Sequence, residues 1–572
     1  MSALTRKENG QTIHLSPWEL KHEHIPTSNA VEFLFTRPGL DPKTSNPDHK
    51  LYIDSHDSSH YITVAQHRDL VGRITYILQN KYNLRVGDTV CLLLTNSIYL
   101  PALHLGILAT GAAISPANIA YLPHELHHQL NVSQSKLIIG LEKFLPIARA
   151  ATKDFSPVPI EDIFTFDSLL EEAKNPQTPK ASPVKFVGDE SKERHAYYCF
   201  SSGTSGVPKG VATSHFNVVS DVLQQHISAR DALYLPNGVY GAVLPMSHIY
   251  GLTTFIYSVP TIAQSTIIVF DKFDFEFLLQ KIQEHGVTFL HVVPPMAVLF
   301  AKSHVLDKYL DKVRLTLKGF LSGAAPLSQS LIDEIADRLK NGISITQSYG
   351  LTETTSINTF GSFKPGLDKY DAESCGWLMP GLEARLVDAD GNDVHGIGPE
   401  HRGEVWLRGP NIMKSYLRNP KATVETFDHT GRWLRTGDVG IVTPDGQWYI
   451  VDRVKELIKS KGHQVAPAEL ESILLEHPDV IDAAVTGINL PEEGTELPRA
   501  YIVLSSKDID PLAIKAWFDN KVSRHKQLWG GVVVLDSVPK SASGKIQRRL
   551  LRDRKNDTVY GYRTGASSKP KL

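Results

Sequence analysis

Residues 200–210 read Phe200-Ser201-Ser202-Gly203-Thr204-Ser205-Gly206-Val207-Pro208-Lys209-Gly210. The glycines let successive backbone N–H groups turn into one concavity, an arrangement that receives an anion. Ser and Thr hydroxyls add donors, and Lys209 adds a point charge suited to phosphate oxygens. The pattern GxxxxGK[ST] is absent, so this is not a P-loop. Taken alone, the stretch reads equally as a phosphate cradle or an ordinary surface loop. Its flanks decide the architecture. Upstream, Leu70, Val71, Ile74, Ile77 and Leu78 keep helical spacing, while Thr89–Leu94 and Ser135–Ile139 read as buried strands. Alternation of this kind predicts an α/β fold with parallel sheets covered by helices. Downstream, from Cys375 to Ile450, short strands with Asp390-Gly391 and Asp445-Gly446 turns predict a small barrel or hairpin array. After Asp452-Arg453 a compact α+β unit is expected, with a helix from about Pro467 and strands near Ala500–Leu504 and Val532–Leu535.

The chain has 572 residues, 60 basic against 62 acidic, with 41% hydrophobic and 21% charged residues. That is globular, too long for one ordinary domain, and without the bulk positive charge of a nucleic-acid binder. Cys91, Cys199 and Cys375 lie far apart with no CxxC pair, which excludes a disulfide scaffold and fits a reducing compartment. The opening residues lack the apolar core of a secretory signal, so an intracellular protein is expected. Residues 232–270 carry no Asp, Glu, Lys or Arg, but Pro236, Pro245 and Pro260 interrupt them. They read as a buried strand–helix–strand passage, with no integral membrane association. From Lys515 onward there are 14 Lys and Arg against 4 Asp and Glu, a solvated face or a surface that meets polyphosphate.

The glycine-rich stretch has company. Gln347-Ser348-Tyr349-Gly350-Leu351-Thr352-Glu353-Thr354 sets an aromatic, a hydroxyl and a carboxylate together after an apolar strand. Trp433 to Gly440 (WLRTGDVG), Asp452 to Gly462 (DRVKELIKSKG) and Pro539 to Ile546 (PKSASGKI) follow. In this order the segments resemble the AMP-forming adenylating superfamily of acyl-CoA synthetases, luciferases and peptide-synthetase adenylation domains, from about Thr63 to Arg552. The segments Leu244–Gly251, Ser322–Leu327 and Lys461–Leu470 resemble the 4-coumarate–CoA ligase-like group most. The resemblance implies a large N-terminal adenylation domain (1–453) with parallel βα sheets and a small β-barrel-like subdomain. It also implies a smaller mobile α+β C-terminal domain (454–572) ending in a flexible tail.

It further implies the substrates ATP, coenzyme A and a small carboxylic acid, with Mg²⁺. Ser201, Ser202, Gly203, Thr204, Ser205, Gly206, Lys209 and Thr352 would hold ATP phosphates, and Glu353 the metal. Gly323, Ala324, Ala325, Gln347, Ser348, Tyr349 and Gly350 would surround the nucleotide, with Asp438 and Arg453 on the ribose hydroxyls. Lys545 would reach the reacting carboxylate, Lys455 would be the hinge, Lys459 and Gln464 would act beside the adenylate, and Lys461 and Gly462 would meet coenzyme A. His248 would line the acyl or pantetheine passage. Ile249, Tyr250, Thr254, Gly323, Ser348, Ser356 and Ile357 would form the acid pocket. The physics agrees: a carboxylate attacking ATP brings negative charges together, which a metal and a lysine relieve. Two reactions at one carbonyl need two constellations, which a hinged domain supplies in turn.

Hydroxycinnamate ligases usually show glycine at the Ser348 position and Pro-Val at Ser356-Ile357. A hydroxymethyl there shortens the pocket, so the expected acid is apolar or aromatic and shorter than a hydroxycinnamate. The alternatives are a stand-alone module loading a carrier protein, a luciferase-like oxygenase and a non-catalytic nucleotide-binding regulator. His124-Glu125-Leu126-His127-His128 satisfies HExxH, but Pro123 marks a plain helix start. Asp167-Ser168-Leu169 reads as helix N-capping rather than a phosphopantetheine site. The ending Pro570-Lys571-Leu572 approximates the Ser-Lys-Leu peroxisomal address, so an import receptor and a peroxisomal location are expected, otherwise cytoplasmic.

Overall fold

The computed structural model describes residues 4–153, 162–201, 207–229, 236–340, 342–361, 370–460, 463–490, 495–541 and 544–562. Among these, the fold is mixed α/β, with a large N-terminal region of parallel sheets and a smaller C-terminal unit. The larger sheet orders its strands Trp377–Leu378, Thr359–Phe360, Ser344–Tyr349, Gly319–Ser322, Phe289–Val292, Val239–Ala242, Thr266–Val269, Lys50–Asp54 and Tyr61–Thr63. From Ser344–Tyr349 to Lys50–Asp54 all neighbours are parallel. Strands covered on both faces are mainly apolar, and Phe289–Val292 and Gly319–Ser322 are buried at every residue, His291 and Ser322 included.

The second sheet runs Ser415–Tyr416, Lys209–Ser214, His195–Ser201, Ala113–Pro116, Thr89–Leu93, Leu137–Gly140 and Ile163–Thr165. Its last five are parallel. The expected strand at Ser135–Ile139 lies slightly later in the chain, at Leu137–Gly140. The helix read at Leu70–Leu78 spans Val64–Asn80, opened by a reciprocal cap between Thr63 and Gln66. The strand His195–Ser201 pairs antiparallel with Lys209–Ser214, with Ser201 opposite Lys209.

A third, antiparallel sheet combines Glu383–Val387, Gly403–Arg408, Leu434–Val442 and Trp448–Arg453 with the N-terminal hairpin Thr5–Glu8 and Gln11–Leu15. It is the hairpin array expected from Cys375 to Ile450, enlarged by a hairpin from the far end of the chain. Gly391 and Gly446 sit at φ +88° and +86° in the two Asp-Gly turns. The charge-free passage contains the strand Val239–Ala242, buried helical turns from Ile249 to Thr261, and the strand Thr266–Val269. No helix among the described residues is long and apolar enough to cross a membrane.

The C-terminal unit pairs Val480–Leu490 with Thr495–Leu504, adds Val532–Val534 and Val559–Tyr560, and carries the helices Pro467–Leu475, Pro511–Asp519 and Arg548–Arg552. The hairpin Ile458–Ser460 and His463–Val465 precedes it.

Candidate functional site

The parallel strands of the larger sheet end at one crevice, where open α/β sheets bind ligands. Past Gly319–Ser322 the chain enters Gly323-Ala324, past Ser344–Tyr349 it enters Gly350-Leu351-Thr352, and past Phe289–Val292 it enters Val293. These segments and Leu244–Gly251 wall a pocket. Of the expected residues, His248, Ile249, Tyr250, Gly323, Ala324, Ser348, Gly350, Thr352, Ser356, Ile357 and Lys545 line it. Lys545 arrives from the C-terminal unit.

Local strain shapes this wall. Ala324 is held at φ +78°, Thr355 at +51° and Ser356 at +92°, conformations that side chains rarely adopt and that packing must enforce. Asn411 enforces one of them: its Nδ2 donates to Thr354 O (2.8 Å) and Ile357 O (3.3 Å), and its own carbonyl accepts from Thr355 Oγ1 (2.8 Å). A Cβ on Gly350 would stand 1.5 Å from Ser356 O, so only glycine permits this approach. A Cβ on Gly323 would meet the Tyr250 ring at 3.1 Å and Ser348 Oγ at 3.3 Å, so glycine keeps the pocket open there.

His248 caps the helix Ile249–Leu252, its Nδ1 accepting Tyr250 N–H at 3.3 Å. Burial, then Lys545, lowers its pKa to about 4, so at neutral pH the ring is uncharged with its proton on Nε2. The Tyr250 hydroxyl donates to Leu321 O (3.1 Å), with His291 Nδ1 at 3.3 Å. Lys545 is partly buried. Burial and Arg453 lower its pKa, while Asp438, Glu353 and Glu456 raise it.

Beside the pocket, Tyr349 OH donates to Asp438 Oδ2 at 2.6 Å, and Arg453 Nε lies 3.4 Å from Oδ1. Burial raises the Asp438 carboxyl, opposed by Arg453, Tyr349 and Lys545. Glu353 Oε1 accepts from Ser201 Oγ (2.9 Å) and Tyr416 OH (2.8 Å). Lys209 stands 4.9 Å over the Tyr416 ring. Thus Ser201, Lys209, Glu353 and Thr352 gather at one mouth. A carboxylate and hydroxyls are hard oxygen donors of the kind Mg²⁺ takes, so this set fits that ion.

Other expected residues stand apart. Thr254 is a correction: it is fully buried but does not line the pocket. The chain widens to i→i+5 turns over Thr253–Ser258, so the spacing that would stack Thr254 behind Tyr250 is not continued. Gln347 is spent on scaffolding, its Oε1 accepting from Leu327 N (2.7 Å) and its Nε2 donating to Ala372 O (2.6 Å). Ala325 is exposed and off the lining. Lys455 is exposed; Lys459 and Gln464 face each other across the Ile458–Ser460 hairpin, also exposed and outside this pocket. Residues Ser202, Gly203, Thr204, Ser205 and Gly206, Lys461, Gly462, and Pro570, Lys571 and Leu572 lie outside the described residues.

The sequence reading missed Val293, Leu351 and Tyr416. Val293 was findable: it follows a buried strand and precedes Pro294-Pro295, a strand-to-helix junction at the sheet's carboxyl edge. Tyr416 carries no local signal.

The HExxH segment is the helix Pro123–Ser133, where Glu125 Oε2 accepts Leu122 N–H at 2.7 Å. His127 and His128 each lie 2.9 Å from a backbone carbonyl oxygen. At the Asp167 segment the cap is Thr165, which accepts from Ser168 N–H, with Asp167 in the first turn.

A model of the AMP-binding enzyme family matches residues 42–417, and one of the AMP-binding enzyme C-terminal domain matches 469–545. 4-Coumarate–CoA ligase-like 6 of Arabidopsis thaliana is 33% identical over 560 residues, covering 95% of this chain and 96% of that protein. Luciferin 4-monooxygenase of Nipponoluciola cruciata is 36% identical over 502 residues, 83% of this chain and 86% of that one. Among solved structures, ATP-bound MatB from Rhodopseudomonas palustris superposes with a TM-score of 0.78 at 26% identity, over 92% of this chain and 98% of that one.

Proposed function

Because this chain belongs to the AMP-binding enzyme family, we propose that its pocket joins an apolar or aromatic carboxylic acid to coenzyme A in two steps. In the first, a carboxylate oxygen attacks the α-phosphorus of ATP, giving acyl-AMP and releasing pyrophosphate. In the second, the coenzyme A thiolate attacks the acyl carbon and AMP leaves. The observation that carries this reading is Lys545, brought from the C-terminal unit into a pocket lined by His248, Tyr250 and Ser348. Its ammonium supplies positive charge where two anions must meet. A bound ligand's negative charge would offset the burial that lowers its pKa.

Asp438, fixed by Tyr349 and Arg453, offers a carboxylate to the ribose hydroxyls. Glu353, Thr352, Ser201 and Lys209 take the polyphosphate end, with Glu353 holding Mg²⁺; that ion would neutralise phosphate charge. His248, uncharged, orients the acid through its Nε2–H. Ile249, Ile357 and the Tyr250 ring give the acid an apolar wall, and Ser348 and Ser356 shorten it. The domain boundary falls between Arg453 and Val454. Lys455 acts as the hinge, and rotation about it exchanges Lys545 for Lys459 and Gln464. Lys461 and Gly462 then meet coenzyme A. The Pro570-Lys571-Leu572 ending serves as a peroxisomal address, and a fluorescent fusion of the last dozen residues that stays diffuse would exclude it.

The test is a panel of carboxylic acids scored by pyrophosphate release, with and without coenzyme A. Acid-dependent release with thioester formation supports the reading. Adenylate that coenzyme A leaves untouched would point to carrier loading. Acid-dependent oxygen consumption without thioester would point to an oxygenase.

A further inference from the structure

The helix Pro467–Leu475 of the C-terminal unit is gripped at both ends by side chains of the large domain. At its N-terminal end Asp452 Oδ2 accepts Ala468 N–H at 3.0 Å. At its C-terminal end Lys302 Nζ donates to Leu475 O (2.5 Å), Val480 O (3.2 Å) and His477 O (3.4 Å). Both charges match the helix dipole, a carboxylate at the positive end and an ammonium at the negative end. Leu475 O is also one of the last carbonyls of the helix, which lack an intrahelical partner.

The two grips differ in kind. Asp452 directly precedes the chain crossing between the domains and stays near it in any orientation. Lys302 ends the helix Pro294–Lys302, remote in sequence from that crossing. At the other end of the same helix, Val293 lies against the loop that carries Lys545: a Cβ on Gly544 would stand 3.1 Å from Val293 Cγ2. One helix of the large domain therefore bears on the incoming domain twice, at the Lys545 loop and at the carbonyls of Leu475, His477 and Val480.

We propose that Lys302 is a positioning residue, a latch that holds the C-terminal domain in the orientation that puts Lys545 into the pocket. It governs adenylation and not thioester formation. This rests on the two-orientation reading given above. Lys302 touches neither the pocket nor the nucleotide mouth, so its effect falls on the rate of adenylation and leaves KM for acid and ATP in place.

The experiment compares Lys302→Met, Lys302→Arg and Lys545→Ala with the unaltered full chain. Pyrophosphate release from acid and MgATP is measured in one assay. Thioester formation from chemically prepared acyl-adenylate and coenzyme A is measured in the other. Lys302→Met is expected to slow adenylation about tenfold, the scale of losing a charge-assisted hydrogen-bond set. It should form thioester at the unaltered rate, which also shows that it folds. Lys302→Arg, which keeps the charge and donors, should recover most of the loss. Unchanged adenylation in Lys302→Met, or parallel loss of both steps, would overturn the latch while Lys545→Ala still separates them. If Lys545→Ala also lost both steps equally, the two-orientation reading itself would fall, and the latch with it.

Discussion

Replacing Ser348 with glycine should lengthen the acid pocket and change little else. Ser348 lines the pocket with its Oγ only 3.3 Å from where a Cβ on Gly323 would stand, so its hydroxymethyl fills the constriction between the strand ends. Its backbone is pinned by pairing with Phe360, so the strand should keep its course. The Tyr250 hydroxyl keeps Leu321 O at 3.1 Å, so no buried donor is orphaned. Ser348 also gives up its hydrogen bond to Tyr250, so the stability loss should be the cost of glycine in a strand, about 0.5–1 kcal/mol, plus about 1 kcal/mol for that bond. One added or missing carbon in an apolar pocket shifts selectivity by about 10-fold or more. The assay is kcat/KM for pyrophosphate release with a hydroxycinnamate and with a benzoate, for both proteins. The ratio should move about tenfold toward the longer acid. A ratio that stays put, in a variant that melts normally, would mean that Ser348 does not limit the depth of the acid site.

Lys545→Ala should lower acid-dependent pyrophosphate release by about 10²–10³, the usual loss when one charge-stabilising contact is removed, while prepared acyl-adenylate is still turned into thioester; stopped-flow release assays read the first and thioester absorbance the second. Gly350→Ala must push Ser356 O outward from 1.5 Å, and a shift on the order of 1 Å beside reacting groups costs about 10² in rate; wild-type turnover in this variant would refute the close approach. Stability should fall as pH drops from about 6.5 toward 4. Burial lowers the pKa of His67, His104, His215 and His291 to about 3 and of His14 and His248 to about 4. Over that window the unfolded chain binds protons that the folded chain refuses. Buried carboxyls raised in pKa, such as Asp221 and Glu471, act with the opposite sign and offset part of it. A melting midpoint that rises on acidification through this range would contradict the assignment.

Much of the site was legible because its parts are short contiguous runs at strand ends. Residues 348–352 turn out of one strand, and 323–324 out of its parallel neighbour, so reading each run placed several lining residues at once. Where chemistry depends on what a side chain faces across the fold, the local run of residues does not show it. Gln347 sits among binding residues in sequence, yet its amide is consumed by Leu327 and Ala372. Thr254 follows Tyr250 at helical spacing, yet the widened turn leaves it in the core.

The sequence by itself determined the elements and their order. Helical and strand periodicity, the caps of Val64–Asn80 and Pro123–Ser133, and the Asp-Gly turns depend on interactions within a few residues. Linear composition therefore carries them. Tertiary structure alone decided which ends meet. The N-terminal hairpin completes a sheet built mostly from residues 383–453, Tyr416 reaches Glu353, and Lys302 meets the last carbonyl of a helix in the C-terminal unit. It also set the electrostatics of the site, since other segments exclude water from His248 and Lys545 and bring Lys545 beside the first and Arg453 beside the second, which lowers both pKa values. Burial and long-range register are properties of the packed chain, and no local run of residues encodes them.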